Sequence, residues 1–189
     1  MPPFDRFVTD PLFFKRCLVA HVNLALIAWF YSFVAALLFL VPSRRPSGWI
    51  ARHAVHVAAA GVLMILMGAA MPGSRPLLSN YIPTIDHPLF RMGQLVFGLG
   101  VLASLLDRRL LPAGKDARGF FDMPEAARAG LRAAALALVL AAITFAITWL
   151  RGPEEMDTAI SNDLLVWGGG HVLQFTWTLL MLVAWVWLA

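Results

Sequence analysis

Five uninterrupted apolar runs limit what this chain can fold into. They are Leu18–Val41, Ile50–Met71, Leu89–Leu106, Leu131–Leu150 and Leu164–Ala189. A helix needs ~20 apolar residues to cross the hydrocarbon of a bilayer, and a helix satisfies its backbone polar groups internally while it does so. Each run reaches that length, the third only just. A strongly apolar sheet protein would show strands of about 4–8 residues instead. Hydrophobic residues make up 60% of the chain and charged residues 14%, against roughly 25% charged in soluble domains. The sequence predicts an all-α membrane protein with five transmembrane helices, forming a single membrane domain over 1–189.

The first run does not read as a signal peptide. It follows a polar lead of about 17 residues, is longer than a ~7–15-residue signal core, and lacks a small-residue cleavage site. The single Cys17 has no partner for an internal disulfide. Breaker clusters separate the runs: Pro42 to Gly48, Met71 to Pro76, Leu111 to Gly114 and Arg151 to Pro153. The net charge of +4 comes from arginines in these short loops, where they set topology and are no sign of nucleic-acid binding. The first and third loops hold Arg44, Arg45, Arg52, Arg108, Arg109, Lys115, Arg118, Arg128 and Arg132. The other side holds Arg6, Lys15, Arg16, Arg75, Arg91 and Arg151. This bias places the first and third loops in the cytoplasm. The expectation is a multi-pass protein of the inner (cell) membrane, N-terminus periplasmic and C-terminus cytoplasmic.

That orientation brings two histidines to one depth. His21 lies about three residues into the first run and His171 about seven into the last. At 1.5 Å per residue both sit roughly 5–10 Å from the outer edge. Ionisable residues inside a bilayer are costly and point to function. Two imidazoles in one layer could serve a metal or haem; the plainer alternative is two unrelated histidines bonded to carbonyls or interfacial water.

The stretch Ala20-His21-Val22-Asn23-Leu24 and the apolar residues after it resemble the second helix of the catalytic subunit of the haem–copper oxidase superfamily, closest to the C-type oxidase and nitric oxide reductase branches. The stretch Val166-Trp167-Gly168-Gly169-Gly170-His171-Val172-Leu173-Gln174-Phe175 is similar to its sixth helix. The resemblance implies that His21 is an axial ligand of a low-spin haem b and His171 a ligand of the active-site copper beside a high-spin haem. Neutral imidazole suits both metals, and an acceptor behind His171 should fix its tautomer. It implies a cytochrome c or quinol oxidase reducing oxygen, with nitric oxide reduction as the alternative. The partners implied are the remaining helices of a twelve-helix core, other oxidase subunits, a cytochrome c or quinol donor, and lipid. The Gly168–Gly170 run permits close approach of a macrocycle or of a neighbouring helix.

The sequence also departs from that family. Only helices two to six are matched, so the ligands on the seventh and tenth are missing, and a fragment or truncated reading frame is the expectation. Phe175 stands where the mitochondrial-type branch has a cross-linked tyrosine and nitric oxide reductases a glutamate. Two other classes stay open: a small b-type cytochrome with one haem clamped by His21 and His171, and a non-catalytic membrane scaffold or assembly subunit. His53 and His56, three apart on one helical face, could chelate a metal or form a polar helix entrance. The segment Asn80 to Pro88, with His87, could meet a propionate or an electron donor, or be an interfacial turn in which Asp86 caps the next helix. Trp167, Trp177, Trp185 and Trp187 fit an aromatic belt.

Overall fold

The computed structural model describes residues 10–40, 48–105, 124–152 and 155–189. The loop residues Arg6, Arg44, Arg45, Arg108, Arg109, Lys115 and Arg118 lie outside the described residues. The fold is helical. Helix α1 (Phe13–Val22) runs through a π-helical stretch (Asn23–Ala28) into α2 (Trp29–Leu40). Then come α3 (Trp49–Ala70), two short strands β1 (Arg75–Leu77) and β2 (Thr84–Asp86), α4 (Pro88–Leu105), α5 (Glu125–Arg151) and α6 (Thr158–Leu188).

The apolar runs correspond to helices, with shifted ends. The first begins at Phe13 rather than Leu18, α5 at Glu125 rather than Leu131, and α6 at Thr158 rather than Leu164. Charged and polar residues in these first turns (Lys15 and Arg16, Glu125 and Arg128, Thr158 and Ser161) interrupt the apolar signal without ending the helix. Asp157 caps α6 by accepting a bond from the Ala159 amide at 2.9 Å, which satisfies a donor the helix leaves free. Four helical segments among the described residues are long and apolar enough to cross a membrane; the third run falls short of that standard, its apolar stretch covering Pro88–Ser104. That helix opens on Pro88, whose missing N–H suits a first position. His87, not Asp86, caps it, its Nδ1 accepting from the Leu89 amide at 3.2 Å. Asp86 pairs instead with Arg91 at 2.9 Å.

Both long helical hairpins are zipped by alternating three- and four-residue spacing. On α3 the inward positions are Ala54, Gly61, Ile65 and Gly68, and on α4 they are Phe90, Gly93, Phe97, Gly100 and Ser104. That is coiled-coil spacing with small residues on the seam, which lets backbones approach closely. A Cβ on Gly68 would stand 2.6 Å from the Phe90 nitrogen, and one on Gly93 2.6 Å from that of Ile65. The second hairpin repeats the device. Ala127, Leu131, Ala134, Leu138 and Ala141 of α5 face Val166, Gly169, Leu173, Thr176, Leu180 and Val183 of α6, and all are buried.

Near the N-terminus, Arg16 is buried at the level of the α3 C-terminus, its Nε donating to the Ala69 carbonyl at 3.2 Å. Its Nη1 meets Asp10 at 2.6 Å. The Leu12 amide and then this guanidinium hold the Asp10 carboxyl below its ordinary range, because both stabilise the charged form.

The α3–α4 seam predicts an asymmetric response to alanine. Gly61→Ala would drive a methyl into the Phe97 backbone and should cost about 1–3 kcal/mol by overpacking. Gly98 on the same hairpin has open space, so Gly98→Ala should be neutral or stabilise by up to about 1 kcal/mol through helix propensity. Thermal unfolding of both variants in one detergent checks the pair.

Candidate functional site

The site is built around the connection from β1 to β2. The strands pair antiparallel, with Arg75 opposite Asp86 and Leu77 opposite Thr84. Between them, Pro83 is buried and Ser79, Tyr81 and Ile82 are half-buried, while Leu78 and Asn80 are exposed, so the inward polar groups need partners away from bulk water. Three helices supply them.

The first supplier is the π-helical stretch. The Trp29 amide bonds to the Leu24 carbonyl five residues back, the mark of a widened turn, a feature often found at functional sites. Asn23 opens that stretch and is fully buried. Its Nδ2 donates to the Val19 carbonyl at 2.9 Å and to the Pro83 carbonyl at 2.7 Å. The second supplier is α4. Gln94 Nε2 donates to Asn23 Oδ1 at 2.8 Å and to the same Pro83 carbonyl at 3.2 Å. Thr84 closes the network by donating to Gln94 Oε1 at 2.7 Å. The third is α6. Asn162 donates to Ser79 Oγ at 3.3 Å, and that hydroxyl donates to the Ile82 carbonyl at 2.6 Å.

This arrangement places Tyr81 against His171. The Tyr81 hydroxyl lies 2.7 Å from His171 Nε2, and His171 Nδ1 lies 2.6 Å from the Trp167 carbonyl. A carbonyl only accepts, so Nδ1 carries the proton. In the neutral ring Nε2 then accepts from Tyr81. The Trp167 and Tyr81 rings flank the imidazole at 4.6 and 4.4 Å between centroids. The glycine run makes room for these contacts. A Cβ on Gly170 would meet Tyr81 Cγ at 2.6 Å, and one on Gly169 would meet the Phe145 ring at 2.6 Å. Beside Tyr81 a cleft of about 380 Å³ opens, walled by Leu18, Val22, Leu26, Gln174 and Trp177.

His21 stands elsewhere. It is exposed on α1 and makes no hydrogen bond or ring contact among the described residues. Asn23 and His171 both bond to the Tyr81–Pro83 segment, so the π-helical stretch and α6 meet the connection at one layer, but the two imidazoles are not brought into contact. His87 is used as a helix cap. His53 and His56 project from the first turns of α3, both exposed. Asp, Glu, His and Cys do not gather in threes among the described residues. Sequence reasoning singled out His171 but missed the roles of Gln94 and Asn162. Their signal was present: each is an amide in or beside an apolar run, where a buried polar group needs a partner.

The chain is similar to two curated proteins. One is an uncharacterized protein of Aquifex aeolicus (strain VF5), 28% identical over 177 residues that cover 93% of this chain and 43% of that protein. The other is the uncharacterized protein RP382 of Rickettsia prowazekii (strain Madrid E), 22% identical over an alignment of 213 positions covering 98% of this chain and 40% of that protein. The chain thus spans about two fifths of the length of these relatives. No family model and no solved structure matches it.

The amide network predicts a specific loss. Asn23→Leu keeps bulk but removes the donor to Pro83 and the acceptor for Gln94, and should lower the unfolding free energy by about 1–3 kcal/mol. Asn80→Leu, at an exposed position of the same connection, should shift it by less than about 0.5 kcal/mol. Parallel denaturation in mild detergent measures the difference.

Proposed function

We propose that the chain crosses a membrane through its apolar helices and belongs to a redox subunit of the haem–copper oxidase type. In this reading His171 is a copper ligand and His21 an axial ligand of a low-spin haem. The observation that carries the reading is the preset imidazole of His171. Its Nδ1–H is fixed on a backbone carbonyl, the arrangement that metal-binding histidines use to hold tautomer and ring orientation. The lone pair on Nε2 is then directed at Tyr81. A metal fits there if the Tyr81 hydroxyl gives way. His21 fits an iron from the opposite circumstance, since its ring is exposed and unbonded among the described residues.

The metals, when bound, would supply the electron transfer and the oxygen chemistry. The chain's own residues would do the rest. The Trp167 carbonyl fixes the imidazole tautomer, and Asn23, Gln94 and Asn162 hold the segment that carries Tyr81, whose hydroxyl occupies Nε2 until a metal displaces it. Each metal takes a single ligand from this chain, so the others come from further helices. The separate surroundings of the two histidines support distinct ligand roles over one shared haem. Oxygen is the proposed substrate, nitric oxide the alternative, and cytochrome c or a quinol the donor. The loop arginines support an inner-membrane protein with its N-terminus outside.

One observation favours a non-catalytic scaffold instead. Both nitrogens of His171 are already bonded, and the hollows at Gly169 and Gly170 are filled by Phe145 and Tyr81.

The deciding experiment isolates the protein from its native membrane with whatever chains accompany it, and records reduced-minus-oxidised spectra and copper content. The expected result is a low-spin haem lost in His21→Ala, and copper lost in His171→Ala with that haem retained. Loss of one and the same haem in both variants would promote the small-cytochrome reading. A colourless, copper-free preparation that co-purifies with a larger complex would establish the scaffold.

A further inference from the structure

His53 and His56 take no part in the site above. They lie at the start of α3, whereas the other end of that helix meets Arg16 through the Ala69 carbonyl. The sixteen-residue rise from His53 to Ala69 separates the two ends by about 24 Å. The histidines are three apart, so they share one face. Both are exposed, and their ring centroids are 6.3 Å apart.

The His53 ring is held in place. Its Nδ1 lies 2.8 Å from the Trp49 carbonyl, so Nδ1 is the protonated nitrogen and neutral His53 presents its Nε2 lone pair outward. The ring also rests on the Trp49 indole, centroids 4.6 Å apart. An imidazole whose far nitrogen donates to a backbone carbonyl is the oriented form that metal-binding histidines adopt. His56 is exposed and has no hydrogen-bond partner among the described residues.

We infer that His53 and His56 form a two-imidazole site for a borderline divalent cation of the zinc class, at the opposite end of α3 from His171. Zinc–imidazole bonds of 2.0–2.1 Å put two ring centres roughly 5 Å apart around a tetrahedral ion. The observed 6.3 Å closes by about 1 Å through rotation of the exposed His56 ring. Imidazole ligands select zinc, copper and nickel over magnesium and calcium, which take oxygen. Among the described residues no third His, Cys, Asp or Glu joins the pair, so the ligand set they offer is two imidazoles with the other positions open to water. The site is therefore weak and exchangeable, which suits a reversible regulatory or acceptor role more than a structural one. The inference does not rest on the redox reading.

The test is calorimetric titration of Zn(II) into the full chain in detergent near neutral pH, with Mg(II) as the comparison ion. One zinc event is expected, with no magnesium counterpart. His53→Gln and His56→Gln should each weaken it by about tenfold or more, with melting temperatures in the absence of metal unchanged. His171→Gln should leave the event intact. The inference fails if Zn(II) does not bind, if neither α3 variant weakens binding, or if the event disappears in His171→Gln.

Discussion

The buried carbonyl of Pro83 is the point on which the arrangement turns. Two side-chain amides converge on it, Asn23 from the π-helical stretch and Gln94 from α4. The α3–α4 hairpin and the α5–α6 hairpin are each self-contained zippers, and they touch each other little. The β1–β2 connection joins them, bonded to the π-helical stretch and α4 through the amides and to α6 through Asn162 and His171. In a low-dielectric setting an unpaired amide is costly and a satisfied network is specific. Removing one donor therefore disturbs more than one bond: it loosens the segment that decides where the Tyr81 hydroxyl sits.

Much of this was legible in the sequence, for particular reasons. Helix order follows from the apolar runs because length and hydropathy are properties of single segments. The seams were also readable, since Gly61 and Gly68, Gly93 and Gly100, and Ala127, Ala134 and Ala141 repeat every seven residues. What escaped depends on partners distant in sequence. Strands of three residues leave no periodic trace, so the sequence shows only a breaker cluster at Met71 to Pro76 and a polar, aromatic segment at Asn80 to Pro88 where the structure pairs Arg75–Leu77 with Thr84–Asp86. The π-helical stretch opens on Asn23, whose amide reaches sixty residues ahead to Pro83. Asp86 is the better cap by residue type, yet it is drawn to Arg91, and the imidazole of the following residue takes the cap instead.

The Gly168–Gly170 run shows how one sequence feature can carry two readings. Glycines beside a histidine admit either a flat cofactor or a neighbouring side chain. Here Phe145 and Tyr81 occupy the space. That contact is compatible with a metal on His171 only through movement of Tyr81, and the geometry limits which movement. The Tyr81 Cβ is locked over Gly170, so its backbone cannot retreat without disturbing the bonds of Ser79 and Pro83. A swing of the whole side chain about its Cα–Cβ bond is the remaining freedom, since turning the ring about its own axis leaves the hydroxyl in place. Such a swing would break one neutral hydrogen bond, worth about 0.5–1.5 kcal/mol net, small beside the affinity of an imidazole–metal bond.

His171 and His21 are thus opposite cases of one physical problem. An imidazole in an apolar layer needs partners for both nitrogens. His171 finds both within the chain, one from its own helix and one from the connection. His21 finds neither among the described residues, although it lies two positions from Asn23, whose amide donates twice and accepts once. If α1 spans a bilayer, the exposed face of His21 is where the chain lacks a polar partner, and interfacial water or a ligand held by another element must provide it. The contrast makes His21 the more informative position. A substitution at His171 perturbs Tyr81 and the connection as well as any metal, whereas a substitution at His21 removes an exposed ring with no bonds among the described residues. A spectral change on replacing His21 therefore reports on what binds there and not on the packing of the bundle.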